Sequence, residues 1–117
     1  MILMRRDRIS LDNSLDGVMV PRNVEFEWSV WKAAGNLKKH GVSFDEAASA
    51  FDDSHAYIQD DELHSDEEPR EVLIGYSARN RLLVISFVQR VHNPIRIISA
   101  RIATQKERQV YEETPRF

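Results

Sequence analysis

The sequence predicts an α+β domain in which two N-terminal helices and one C-terminal helix group around an antiparallel sheet of about four strands. Three observations lead there. Two capped helical patterns follow one another between Ser29 and Phe51. Three runs of strand character, Arg70–Tyr76, Arg81–Gln89 and Ile95–Ile102, are separated only by short turns. A capping box at Thr104-Gln105-Lys106-Glu107 then opens a last helix.

Residues 1–23 mix Arg5, Arg6, Arg8 and Arg22 with Asp7, Asp12 and Asp16, without a sustained apolar period. They are expected to be a loosely ordered extension ahead of a single domain at 24–117. Phe26-Glu27-Trp28 alternates and reads as a first strand. Ser29 suits an N-cap, because its hydroxyl can accept from an exposed amide of the first turn, and Gly41 supplies a left-handed stop after His40. Val30, Ala34 and Leu37 are expected to form the buried stripe, leaving Lys32, Asn36 and Lys39 on another face with His40 beside them. Ser43-Phe44-Asp45-Glu46 is a second capping box, and Phe44, Ala47, Ala48 and Phe51 form the clearest amphipathic stripe in the chain. Ala56-Tyr57-Ile58 reads as a short strand before the acidic loop 60–68. Val110 and Tyr111 ride on the last helix, which Pro115 stops.

Composition narrows the class. A chain of 117 residues with 42% apolar content is one domain with a real core. The absence of cysteine removes disulfides and thiolate metal sites and fits a reducing, cytoplasmic setting. No apolar run approaches the roughly 18–20 residues of a membrane helix. The opening Met-Ile-Leu-Met-Arg-Arg is too short and wrongly ordered for a signal peptide, so no membrane association is expected. Net charge is −3, but the charges are segregated. Acids dominate from Asp52 to Glu71, with Arg70 alone against them. Bases dominate from Arg79 to Arg108, with Glu107 alone against them. A polyanion can therefore still meet a basic face.

The candidates for chemistry are these bases. Metal-free RNA cleavage sends the 2′-hydroxyl against the adjacent phosphorus. It needs a proton acceptor, a proton donor for the leaving 5′-oxygen, and cations on the extra phosphorane charge. Lys32 is either a solvated helix lysine or a member of a functional row with Asn36, Lys39 and His40. His40 is either a C-terminal cap favoured by the helix dipole or a proton-transfer group. Arg70 opens a strand beside Glu67, Glu68 and Glu71, which compete for it as ion-pair partners. Arg79 and Arg81 flank a hairpin turn. Strict alternation over Ile95–Arg101 places Ile95, Ile97, Ser99 and Arg101 on one face, and Arg96, Ile98, Ala100 and Ile102 on the other. Each face then mixes apolar and cationic residues, so at least one of these arginines sits at a sheet margin and needs a carboxylate or a phosphate. The acidic loop with His64 lacks the spacing of a calcium loop or a zincin, so no metal and no cofactor are expected.

These motifs resemble the BrnT toxin family. Phe26-Glu27-Trp28, Lys32, Asn36, Lys39-His40-Gly41-Val42-Ser43-Phe44, Glu46-Ala47 and Phe51-Asp52-Asp53 look like its N-terminal half. His64-Ser65, Glu67, Arg70 and Ile74-Gly75 resemble its centre. Ile95-Arg96-Ile97-Ile98-Ser99-Ala100-Arg101, Ala103-Thr104, Glu107-Arg108 and Tyr111-Glu112 resemble its C-terminal signature. Ser29 stands where the family usually has Asp, and Pro69 where an acidic residue is common. The resemblance implies a RelE-like fold and a ribonuclease that inhibits translation, neutralised by a BrnA-type antitoxin. Operator DNA would be reached only through that antitoxin, in a complex that can hold two toxin copies.

Carried over to this chain, the functional set is Lys32, His40, Arg70, Arg96, Arg101 and Arg108. Within it we expect Arg70 and Arg101 to stabilise the phosphate and transition state, with Lys32 or His40 moving protons. Lys39, Arg79, Arg81, Arg96 and Arg108 are expected to contact RNA. The competing expectation is a binding module that has lost cleavage and serves only as antitoxin partner or corepressor. A metal-dependent nuclease built on the acidic loop is a third.

Overall fold

The computed structural model describes residues 3–13, 19–61, 68–89 and 94–115, with side chains from Val24 onward. Strands β1 (Leu3–Asn13) and β2 (Met19–Ser29) lead into helices α1 (Val30–His40) and α2 (Phe44–Ser49), the latter closing in a 3-10 turn at Ala50–Asp52. Strands β3 (Tyr57–Asp60), β4 (Glu71–Tyr76), β5 (Leu82–Val88) and β6 (Ile95–Ile102) follow, and then helix α3 (Gln105–Glu113). One sheet of six strands results, in the order β1-β2-β6-β5-β4-β3.

The α+β class and the three helices match expectation; the sheet differs in three ways. It has six strands instead of about four. It is mixed, because β2 runs parallel to β6 through Phe26–Ile95 and Glu27–Arg96. Residues expected to be a loosely ordered extension pair as strand, Leu3–Asn13 against Met19–Ser29, so the boundary drawn between 23 and 24 falls inside β2. The reason is common to all three. Alternation reports which residues share a face and says nothing of strand direction or neighbour, and a hairpin at a sheet edge can form on backbone bonds without an apolar signature. The acidic segment 62–67 and the turn residues 90–93 lie outside the described residues.

Helix α1 starts and stops where its caps predict. Ser29 Oγ accepts from Lys32 N, and Gly41 takes φ 68° while its N–H bonds to Leu37 O at 2.9 Å. Its buried face, however, is not Val30, Ala34 and Leu37. Ala34 and Leu37 are exposed, and the buried residue is Asn36. Asn36 Nδ2 donates to Val42 O at 2.9 Å and Ala100 O at 2.7 Å, and its Oδ1 accepts from Ala100 N at 3.0 Å. β2 follows β6 only through Ile95 and Arg96, and at Ala100 the asparagine amide supplies the bonds a strand would have made. Three hydrogen bonds outweigh the apolar period here.

The α2 stripe is core as expected. Phe44, Ala47 and Ala48 are buried, and Phe51 stacks edge-on between Phe26 and Phe87 at centroid distances of 5.1 and 5.0 Å. Trp28 meets Phe44 edge-on at 6.0 Å. With Leu73, Leu83, Ile85, Ile95, Ile97 and Ala100 these form the main cluster, between the sheet and α1–α2. Gly75 lets β4 approach the 3-10 turn: a Cβ there would stand 3.1 Å from Ala56 Cβ and 3.2 Å from Ala50 O.

The opposite sheet face is covered less completely. Ile74, Leu82 and Val84 form a smaller cluster with Tyr57, Val72, Tyr76, Ala103 and Tyr111, the last from α3. What reaches this face is decided by a β-bulge. Ser86 pairs with Ser99 and Phe87 with Ile97, so Ile98 is an extra residue in β6. Strict alternation therefore fails after Ile97. Ile95, Ile97 and Ala100 are all buried in the main cluster. Arg96 on one side of the bulge and Ser99 and Arg101 on the other all turn to the opposite face. The two arginines expected on different faces share one.

Candidate nucleic-acid interface

On that open face a groove of about 240 Å³ runs beside the second cluster, lined by Asp61, Arg70, Val72, Val84, Ser86, Ile98, Ser99 and Arg101. Arg70 arrives from the residue before β4, where its carbonyl accepts from Asp61 N at 2.8 Å and closes the β3–β4 connection. Arg101 arrives from β6, across from Val84. Two cations distant in sequence thus converge on a floor of valines and serine hydroxyls.

Arg101 is held in place. Its Nη1 and Nη2 each donate to one oxygen of Glu107 at 2.7 Å, an end-on fork. Glu107 also completes the capping box, with Oε1 accepting from Thr104 N at 2.8 Å and its own N–H donating to Thr104 Oγ1 at 3.2 Å. The arginine fork, helped by the Thr104 amide, holds the Glu107 carboxyl down at about 2 against the opposing effect of burial. The same bond raises Arg101. An end-on fork leaves the Nε edge of the guanidinium for a second acceptor.

A second groove, of about 470 Å³, lies at the β4–β5 turn and is lined by Tyr76, Asn80, Arg81, Leu82, Ile102 and Arg108. Arg108 Nη1 donates to Tyr76 Oη at 2.9 Å. Tyr76 stacks edge-on against Tyr111 at 5.3 Å, and the Tyr111 hydroxyl donates to Asp53 Oδ2 at 2.7 Å. Burial pushes Asp53 up, but the amide of Tyr76, the Tyr111 hydroxyl and the amide of His55 together hold it below the usual value. This chain of contacts fastens α3 to β4 and to the end of α2.

Arg81 serves the scaffold as well as the groove. Its Nε donates to Glu46 Oε2 at 2.8 Å, its Nη2 bonds to Glu46 Oε1, and Nη2 also reaches Gly41 O at 3.0 Å. Ser77 Oγ donates to Glu46 Oε2 at 2.7 Å, and Arg79 stands 3.7 Å from Oε1 with its side chain largely exposed. Arg81 is the largest influence lowering Glu46, ahead of an opposing push from burial. Ser43 caps α2 as expected, accepting from Glu46 N at 3.0 Å. The Glu46 carboxylate, though, is committed to Arg81 and Ser77.

The remaining sequence candidates are dispersed. Arg96 bonds to Glu27 Oε1 across the parallel pair, at 3.2 Å from Nη2 and 3.3 Å from Nε. Lys32 and Lys39 are exposed and His40 half-buried on α1. That helix packs on the sheet face opposite the Arg70–Arg101 groove, so these three do not join it. Sequence reasoning left open whether Arg96 and Arg101 meet carboxylates or phosphates; both meet carboxylates. It missed Glu27, Glu46, Asp53, Tyr76 and Ser77. For Glu107, six residues from Arg101 and already marked by its capping box, a signal existed. Glu46 and Arg81 are 35 residues apart, and no local pattern joins them.

Among the described residues no three His, Asp or Glu side chains gather as a metal site, and no helix is long and apolar enough to cross a membrane. His64 and its acidic neighbours fall in segment 62–67, outside those residues.

Fold and grooves together define a small α+β domain that presents arginines in grooves on an open sheet face, an arrangement suited to a polyanion. The family model described as "Ribonuclease toxin, BrnT, of type II toxin-antitoxin system" matches residues 28–107, more than half of the chain, and the chain belongs to that family. A type II toxin implies an antitoxin protein as partner. Comparison with curated proteins finds no match. Arg70, Arg96, Arg101 and Glu107 lie within the matched span; Arg108 and Tyr111 lie beyond it.

Proposed function

We propose that this chain is a metal-independent endoribonuclease toxin that inhibits translation in the cytoplasm and is neutralised by a BrnA-type antitoxin. Operator DNA is contacted only through that antitoxin, in a complex with room for two toxin copies. Residues 24–117 are the RelE-like toxin domain, and the preceding strand is an arm added to its sheet. The observation that carries the reading is the convergence of Arg70 and Arg101 on one groove otherwise lined by apolar side chains, serine hydroxyls and the one carboxylate of Asp61.

The groove suits a cleavage in which the 2′-oxygen bonds to phosphorus while the bond to the 5′-oxygen breaks, leaving a 2′,3′-cyclic phosphate and a 5′-hydroxyl. Arg101, its fork fixed by Glu107, and Arg70 stabilise the charge that grows on the phosphorane. Among the described residues lining the groove, Asp61 is the acidic group placed to take the 2′-hydroxyl proton, and water supplies the proton to the leaving 5′-oxygen. Lys32, Lys39 and His40, expected from the sequence to share in catalysis or RNA contact, stand across the sheet. In this reading they take no part in the chemistry of the groove. Arg96, Arg79, Arg81 and Arg108 extend the basic surface around it.

Arg101→Ala and Arg70→Ala are expected to lower RNA cleavage by roughly 100-fold or more each, the scale on which an oxyanion-stabilising donor acts. Cleavage by the parent chain should survive a chelator. Undiminished cleavage in both folded variants would overturn the assignment of the groove, and loss of activity in chelator would overturn metal independence.

A second reading is favoured by one observation: Arg101, Arg96 and Arg81 are each already engaged by a carboxylate, as structural arginines are. In that reading the chain only binds antitoxin as partner or corepressor. It predicts no RNA cleavage and no toxicity on induction without antitoxin.

A further inference from the structure

The outer face of α1 carries the two most exposed large apolar side chains among the described residues. Trp31 is 70% exposed and Leu37 52% exposed, and Ala34, exposed between them, continues the ridge at three-residue spacing. Beside Trp31, one turn along, sits Gly35. A glycine inside a helix costs about 1 kcal/mol relative to alanine. Among the described residues no atom lies within 4 Å of a Cβ built there, and its φ is not left-handed. A glycine at that place leaves the helix backbone open to close approach from outside. The helix also carries Lys32, Lys38, Lys39 and His40 and no acidic residue.

We infer that this face of α1 is a docking surface for the antitoxin, filled by an acidic amphipathic segment whose apolar side lies along Trp31, Ala34 and Leu37, with Gly35 at its margin. The inference rests on the toxin reading of the chain. An RNA strand fits the face less well. Bases would stack on Trp31 and phosphates would meet the lysines, but Ala34, Leu37 and a backbone notch at Gly35 offer nucleotides nothing. A protein segment uses all of them, and its acids answer the three lysines. The face also lies across the sheet from the Arg70–Arg101 groove, so anchoring here is separable from catalysis.

The test uses the full chain and the purified antitoxin encoded beside it. Trp28 is buried and Trp31 exposed, and these are the two tryptophans of the chain, so complex formation should shift the emission of Trp31 to the blue. Trp31→Glu and Gly35→Glu should each weaken antitoxin binding by about 30-fold or more, as loss of an interface anchor does. RNA cleavage by the toxin alone should be unchanged. Gly35→Ala and Lys38→Glu, both compatible with a helix, guard against misfolding and should weaken binding by smaller factors.

Antitoxin affinity unaltered in all four variants would overturn the inference. So would RNA binding that falls with Trp31→Glu while antitoxin binding holds, or a toxin dimer that this substitution dissociates. If the parent chain neither cleaves RNA nor binds the antitoxin, the toxin reading itself fails. If it does both and the variants bind as the parent does, only the docking surface fails.

Discussion

The two faces of the sheet are stabilised by different physics. Under α1 and α2 lies a continuous apolar cluster with fully buried Phe26, Phe44, Leu83, Ile85 and Phe87. Under α3 the cover is thin, and that helix buries no residue completely. It is attached by a fork, a capping box, the Arg108–Tyr76 and Tyr111–Asp53 hydrogen bonds and one aromatic pair. The first face fixes the fold by volume. The second positions cations by directed bonds, which leaves part of it open to a ligand.

Breaking the first face should have the largest effect. Phe87→Ala removes a ring packed against Phe51 and should cost about 3–5 kcal/mol, read as a lower urea midpoint. Next is Asn36→Ala, which strips Ala100 of both side-chain bonds while leaving its backbone groups buried. A loss of about 2–4 kcal/mol is expected, with little change in the helix content of the native state. A loss under about 0.5 kcal/mol would show that a water or a neighbour replaces the amide.

The second face should respond most gently, and to pH. Glu107 is depressed from 4.5 to about 2, so its contribution is fully present above about 4.5 and is lost as pH falls toward 2. Glu46 and Asp53 are lowered as well and act in the same direction. Glu107→Gln should therefore flatten the acid limb of the stability profile between those values, while costing roughly 1 kcal/mol or less at neutral pH. An acid limb identical to that of the parent would show that the fork does not stabilise the fold.

How much of this was legible in the sequence follows the same division. Caps are local, so Ser29, Gly41, Ser43 and Thr104 announced the helix ends correctly, and the Phe44–Phe51 stripe announced the core. The three late strands were legible because their apolar residues are contiguous. Helix α1 misled because one amide making three bonds sets its orientation, while Leu37 stays in solvent. The parallel β2–β6 pair was hidden because no residue pattern encodes a neighbour across such a separation. Among the site residues, Arg70 and Arg101 were picked out as charges. Their meeting on one groove depends on the bulge, which no composition or motif marks.

The extra residue at Ile98 has a consequence for how this sequence can change. The side of the sheet on which Arg101 stands is set by a count of residues, not by the arginine itself. Deleting Ile98 would restore strict pairing with Ser99 and Arg101 still on the groove face, whereas keeping the residue in strict alternation, without the bulge, would rotate both into the apolar layer beneath α1 and bring Ala100 outward. A deletion of the same length in the exposed turn at 78–80 leaves that phase untouched. At the present length of β6 the bulge at Ile98 is thus what keeps this charge on its side of the sheet, and a lineage can lose that residue and the bulge together without giving up Arg101.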